Sequence, residues 1–294
     1  MRPRLWICPV FAVLAAAGCK KSDEGGGKAV EPPDLQLVSK GNEPRRDLTY
    51  KVAKGTKRSF DVAVDFTLEA GDMGGPLPTV AMTLDVAVED VAPDGSMKLH
   101  TTIVDATARE RLESKVPAEA LSGPLEPLKG IALASTLTPK GRMSKAVVEG
   151  GKQLSDAVNG QLASLTASLQ DVMMTLPIEP VGVGAVWRSS RPIEQNQLKL
   201  TAVNTVTLLA IDGDKIGYSL DTEIHGDDQK VTMEGQTLEV KDITGTGAGK
   251  GTLSLTTLEV TSDLSAELRS KMQATGESEG TPMKMTLQTK IESH

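Results

Sequence analysis

Histidines and carboxylates are the side chains of this 294-residue chain that could hold a metal ion or move a proton. Histidine is scarce: His100, His225 and His294 are the full set. His225 has neighbours of the right type. Asp221, Glu223 and His225 share one face of a strand read at period two, and Asp227 and Asp228 follow in the next turn. Imidazole and carboxylate are ordinary ligands of divalent cations, so these three residues are the metal candidates of the sequence. The same spacing also describes a solvated strand face ending in a Gly-Asp turn, because exposed charges usually stand in water without a ligand. That second reading is the one adopted: no metal and no cofactor is expected. His100, beside Thr101 near a hairpin, is a weaker candidate.

Gly245-Thr246-Gly247-Ala248-Gly249-Lys250-Gly251-Thr252 invites a phosphate-loop reading and fails it on spacing. The loop needs a glycine five before the Gly-Lys pair and a hydroxyl directly after the lysine; Thr244 and Gly251 stand there instead. A helix must also follow to receive the phosphate, whereas Thr252-Leu253-Ser254-Leu255 reads as a strand. The segment reads as a hairpin or a glycine-kinked strand. Ser-x-x-Lys and His-Glu-x-x-His are absent. Paired carboxylates for glycoside hydrolysis leave no mark in sequence spacing, but aromatic platforms for sugars are few. The expectation is a protein without enzymatic activity.

The N-terminus carries an address. Arg2 and Arg4 precede an apolar stretch from Leu5 to Leu14, too short to span a bilayer. Ala15-Ala16-Ala17-Gly18-Cys19 then resembles a bacterial lipoprotein signal, with Ala16 at the position where leucine is commonest. An ordinary secretory cleavage would need only the small residues. The resemblance implies a signal peptide over 1–18, acyl chains of the palmitate class on Cys19, and a place in the bacterial cell envelope. Each buried methylene contributes about 0.8 kcal/mol, so two chains already hold a protein stably. Lys20 follows the cysteine where inner-membrane retention in enteric bacteria uses Asp, so the expected site is the outer membrane, facing the periplasm. Residues 19–45 begin with the polar, glycine-rich run Lys20 to Lys28 and read as a flexible tether.

Composition excludes several partners. Cys8 leaves with the signal, so the processed chain has no disulfide and no thiol beyond Cys19. Arg2 and Arg4 leave too, which makes it more acidic than the full chain at −7. A net acidic chain without basic blocks is a poor partner for nucleic acid. Few aromatics remain: Tyr50, Phe60, Phe66, Trp187 and Tyr218. Stacking platforms for bases are therefore lacking. A monomer is expected.

The elements are strands. Phe60, Val62, Val64, Phe66 and Leu68 alternate against Asp61, Asp65, Thr67 and Glu69. Val80 to Val88 and Met97 to Ile103 alternate likewise around the turn Pro93-Asp94-Gly95, where proline presets φ and glycine accepts a positive one. Leu198 to Ile211, Asp212-Gly213-Asp214 and Ile216 to Thr222 repeat that plan, and Met283, Met285, Leu287, Thr289 and Ile291 close the chain. We read one β-rich domain over 46–294, in two similar meander halves, 46–148 and 177–294. Shared turn chemistry would give any antiparallel protein some such likeness. Between them, Leu154, Ala157, Val158, Leu162, Leu165, Leu169 and Val172 fall at three- and four-residue steps. This predicts an amphipathic helix over about 152–175, ended by Pro177. A shorter helical piece is expected at Ala118 to Leu121. The fold class is mainly β (α+β): a large twisted antiparallel sheet or half-open barrel with one long amphipathic helix packed on it.

Leu176-Pro177-Ile178-Glu179-Pro180-Val181-Gly182-Val183-Gly184-Ala185-Val186-Trp187 resembles a Leu-Pro and Val-x-Val-Gly-x-x-Trp segment of an uncharacterised family of bacterial envelope lipoproteins. Tyr50 to Gly55, the two meanders and the helix agree with that family in order. Trp187 is the expected structural anchor of its strand. The architecture also resembles the half-open barrels of carriers and receptors that move lipoproteins across the periplasm, and of lipid-binding mycobacterial lipoproteins. Such likeness bears on fold and not on function. Two readings follow. In the first, a lipid or other apolar ligand binds between sheet and helix, in a cavity lined by Met82, Leu84, Leu162, Leu165, Leu169, Met283 and Met285, since methionine adapts to varied apolar shapes. In the second, the core is filled and the protein binds or scaffolds an envelope partner through exposed strands, among them the Asp221–Asp228 face.

Overall fold

Alternation of apolar and polar residues yields strands that bury one face and wet the other. The computed structural model describes residues 34–71, 73–151, 162, 173–195, 197–233, 236–274 and 279–294. Cys19 and the segments before it lie outside these residues. Fourteen strands are described: β1 (Asp34–Ser39), β2 (Lys57–Ala70), β3 (Met73–Pro76), β4 (Thr79–Val91), β5 (Met97–Arg109), β6 (Ala132–Leu137), β7 (Val147–Val148), β8 (Val186–Gln195), β9 (Leu198–Asp212), β10 (Lys215–Gly226), β11 (Gln229–Met233), β12 (Gln236–Ser254), β13 (Val260–Ala274) and β14 (Thr281–Ser293). They form one sheet in the order β1-β8-β9-β10-β12-β13-β14-β2-β4-β5-β6-β7, with β11 beside β12 and β3 beside β2.

Every pairing is antiparallel, and among the described residues β1 and β7 are each paired on one side only, so the sheet is not closed. The first-half strands β2 to β7 lie together, and so do β8 to β14. The seam between them is β14 on β2, where Ile291 faces Val62 and Leu287 faces Phe66. The turns carry the residues their geometry demands. Gly95 has φ 83° after Pro93-Asp94, and the Asp94 carboxylate accepts the Ser96 N–H at 2.9 Å.

One apolar cluster takes residues from almost the whole width of the sheet. Trp187 on β8, Leu208 on β9, Tyr218 on β10, Ile291 on β14, Leu84 on β4 and Leu133 on β6 all belong to it. Strands so far apart in the order can share one core only if the sheet curls around it. A smaller cluster of Val231, Val240 and Ile243 sits under β11 and β12.

Curling is helped by β12. Gly245, Gly247, Gly249 and Gly251 alternate along it and face Ile224, Thr222, Leu220 and Tyr218 of β10. A Cβ on Gly251 would stand 2.4 Å from the Thr261 carbonyl oxygen and 2.7 Å from the Tyr218 hydroxyl. The bare backbone lets the side chains of the flanking strands close over it. Gly245–Thr252, read as a hairpin or a glycine-kinked strand, thus lies within one 19-residue strand and is not a hairpin.

Extended segments link the two ends of the sheet. Arg46 and Val181 exchange backbone hydrogen bonds of 3.0 and 2.9 Å beside the start of β8. Tyr50 N–H donates to Pro139 at 2.9 Å and Leu176 N–H to Lys140 at 2.9 Å, both in the loop after β6. The buried Tyr50 hydroxyl donates to the Met174 carbonyl at 3.1 Å. Burial, with Tyr218 nearby, drives its phenol far above the ordinary value against that hydrogen bond, so it stays neutral. Tyr50→Phe is expected to lower stability by about 1–2 kcal/mol, read as a lower urea midpoint at an unchanged slope.

Helix is sparse among the described residues. α1 (Glu119–Leu125) runs through Pro124, longer than the expected Ala118–Leu121, and passes into a single 3-10 turn, Glu126–Leu128, that buries Leu128. The helix expected over about 152–175 falls outside the described residues except at Leu162, which is helical and buried in the main cluster. Met173 to Thr175 already stand outside any helix. No helix of the described residues is long and apolar enough to cross a membrane.

Candidate functional site

Period two places every second residue of β2, β4, β5, β6 and β14 on the inner face, and at one level these residues leave a cleft. Phe60 and Val62 (β2), Leu84 and Val86 (β4), Leu99 and Thr101 (β5), Leu133 and Ser135 (β6) and Ile291 (β14) form its floor. Met143, Ser144, Ala146 and Met173 form the facing side. The cavity measures about 40 Å³, within about 610 Å³ of space between the walls that opens to solvent. Among the described residues the lining is apolar but for the hydroxyls of Thr101, Ser135 and Ser144, with no charged side chain. Ser144 Oγ is engaged by the Thr136 N–H at 2.9 Å. Such a surface can hold hydrocarbon.

The cavity residues expected from sequence are only partly gathered there. Leu84 lines the cleft. Leu162 is buried in the same cluster without being part of the lining, and Met82 packs half-buried against that cluster beside Val62. Met283 and Met285 share the inner face of β14 but lie along it, opposite Ala70 and Leu68, where both are half-buried and outside the cleft. Leu165 and Leu169 lie outside the described residues. The apolar face continues from the cleft towards these methionines through Val64, Phe66, Leu68, Leu264 and Leu287, all half-buried. Met143 was missed by sequence reasoning because Lys140 to Ala146 has no periodicity. Phe60, Val62 and Ile291 had a signal: each continues the parity of a face already read as apolar.

Trp187 is 1% exposed, paired with Val206 on β9 and Leu37 on β1. Its indole N–H donates to the Thr175 carbonyl at 3.1 Å, so the ring packs in the core while its polar edge ties β8 to the segment that crosses from Met173.

Asp221, Glu223 and His225 are exposed on the outer face of β10 and are not brought together. His225 Nε2 is 3.8 Å from Glu223 Oε2, and both side chains are largely in water. Alternate residues on an extended strand are about 7 Å apart, so three in succession cannot converge on one ion. Asp228 instead accepts the Asp242 N–H at 3.1 Å, tying the turn after β10 to β12.

No curated protein matches the chain. The model of a family of unknown function (DUF6263) matches residues 143–294, from the Met143 wall of the cleft through Leu176–Trp187 to the end of β14. That match covers more than half of the sequence, and the chain belongs to this family of unknown function.

Proposed function

We propose that this protein is a lipoprotein of the bacterial cell envelope, held by acyl chains on Cys19, that binds the hydrocarbon part of a lipid on the inner face of its curled sheet. The observation that carries the reading is the apolar cleft at Phe60, Leu84, Leu99, Leu133, Met143 and Met173, which opens to solvent and continues along a half-buried apolar face. Met143 and Met173 are unbranched and adapt their shape, so a chain entering the narrow cavity displaces flexible side chains. Leu162, helical and buried in the main cluster, supports an apolar element packed near this face. The lipobox-like Ala15–Cys19 supports anchoring, and Lys20 supports the outer membrane with the domain facing the periplasm. No enzymatic step belongs to this reading.

Delipidated protein is expected to take up one fluorescent fatty acid per chain, and Leu84→Trp, which fills the cleft, to abolish uptake while the fold persists by circular dichroism. Absence of uptake by the wild-type protein would sink the reading. Cys19→Ser is expected to move the protein from the membrane pellet to the soluble fraction, which tests the anchor separately.

A second reading draws on the small size of the cavity itself, about 40 Å³. With the core filled, the protein would instead bind an envelope partner through its outer strands. That reading expects a partner to co-purify with the wild type and to be lost on charge reversal of Asp221 and Glu223.

A further inference from the structure

His100 stands between two alanines in register, Ala87 on β4 and Ala134 on β6, on the face opposite Leu99 and Thr101. Small neighbours leave room over the imidazole, and two carboxylates from outside the ladder fill it. Glu89 is the extra residue of a β-bulge: Val88 pairs with Leu99 and Asp90 with Lys98, so Glu89 has no partner across. Bulges re-aim a side chain out of the regular alternation. Glu149 opens the 3-10 turn Glu149–Gly151 directly after β7, whose Val147 is in register with Ala134.

The three groups meet closely. His100 Nδ1 lies 3.0 Å from Glu149 Oε2 and 3.7 Å from Glu89 Oε1, and one ligand atom from each residue falls within 4.8 Å of the others. Ligands bound at about 2.0–2.2 Å to one ion stand roughly 3–3.5 Å from each other. Nδ1 is shielded from solvent and makes no hydrogen bond despite the 3.0 Å approach of Glu149. The carboxylate is therefore off the line along which an imidazole N–H donates. An off-line approach suits two ligands that share an ion better than it suits an imidazolium bonded to a carboxylate. At the other ring nitrogen, Nε2 is 3.2 Å from Thr102 Oγ1, which can accept a hydrogen bond from Nε2–H and so favour the tautomer with the Nδ1 lone pair free. Lys98 binds the second oxygen of Glu89 at 2.9 Å and leaves Oε1 towards the imidazole.

We propose that Glu89, His100 and Glu149 form a binding site for a divalent transition ion of the zinc class, with water completing the coordination. One imidazole nitrogen with two carboxylate oxygens suits such ions, whereas calcium and magnesium take oxygen ligands throughout. The ion would fasten the Glu149 turn, and with it the Met143–Ala146 wall of the cleft, to the β4–β5 hairpin. The site is independent of whether the cleft holds a lipid.

The test is calorimetric titration of the chelator-stripped full-length protein in detergent with zinc chloride. One zinc ion per chain is expected to bind, and excess magnesium or calcium to leave binding unchanged. Loss of a supporting residue around a metal already costs about 10–100-fold in affinity. Glu149→Gln and His100→Gln should each weaken binding by at least about that factor, and His225→Ala should leave it intact. Glu149 lies outside the strand ladder, so Glu149→Gln reads the site without disturbing β4–β5 pairing. X-ray absorption at the zinc edge should show nitrogen and oxygen ligands and no sulfur. Absence of saturable zinc binding, binding that survives Glu149→Gln, or sulfur ligation would overturn the proposal.

Discussion

Trp187→Ala is expected to lower stability by about 3–5 kcal/mol, the range for removing a large aromatic from a packed core. The ring is fully buried and touches a cluster that draws on both halves of the sheet, so few neighbours can move to fill the space. The substitution also strands the Thr175 carbonyl that accepts the indole N–H. Trp187→Phe separates the two contributions. It keeps most of the apolar volume and should lose about 1–3 kcal/mol, the part due to the unpaired carbonyl and the smaller ring. Urea unfolding followed by circular dichroism is the measurement, because Trp6 is the only other tryptophan and lies before Cys19. A loss below about 1 kcal/mol for the alanine variant would show that Trp187 does not anchor the strand.

Gly251→Val is the second large effect. The added side chain meets backbone, the Thr261 carbonyl oxygen at 2.4 Å, and the buried Tyr218 ring at 2.9 Å. Neither can swing aside as a long flexible side chain would. Overpacking of this kind costs about 1–3 kcal/mol, and more where the backbone itself must shift. Here two strand pairings would have to open, so the upper end or a failure to fold is expected. Gly217→Ala on the neighbouring strand is the control. Its nearest neighbour is the Ala210 Cβ at 3.5 Å, an ordinary contact. That variant should be neutral or slightly stabilising, by about 0.4–1 kcal/mol, through the unfolded chain. Equal loss in both variants would mean that the glycines of β12 serve something other than close strand approach.

Local features of the fold were legible because their cause is local. Phe60 to Leu68 alternates since one face of β2 is buried, and Pro93-Asp94-Gly95 turns the chain by its own backbone preferences. Strand order has no such cause. Nothing near Val62 says that it faces Ile291, or that Leu37 on β1 faces Trp187 on β8. Parity also shows which face is apolar without showing where along a strand the core deepens. Met283 and Met285 were accordingly placed in a cavity that forms nearer Ile291. The Glu89–His100–Glu149 grouping was hidden for a further reason. A bulge breaks the strand alternation at Glu89, and Glu149 arrives from a glycine-rich turn with Gly150 at φ 78°. Asp221, Glu223 and His225 looked more promising because sequence proximity was visible and three-dimensional convergence was not.

The seam of β14 on β2 has a consequence for how the protein is made. β2 emerges from the ribosome long before β14, and until then one of its edges offers unpaired backbone groups to any passing strand. The first meander must wait, half-finished, through the synthesis of every strand of the second. Pairings so distant in sequence are slow to form and lengthen that exposure. Asp61, Asp65 and Glu69 set three carboxylates along the waiting edge strand. Charges at such positions discourage misplaced pairing with another nascent chain. That duty precedes the contacts they make in the finished sheet, where Asp61 accepts the Thr83 hydroxyl at 2.8 Å and Glu69 lies 3.7 Å from the Lys284 ammonium.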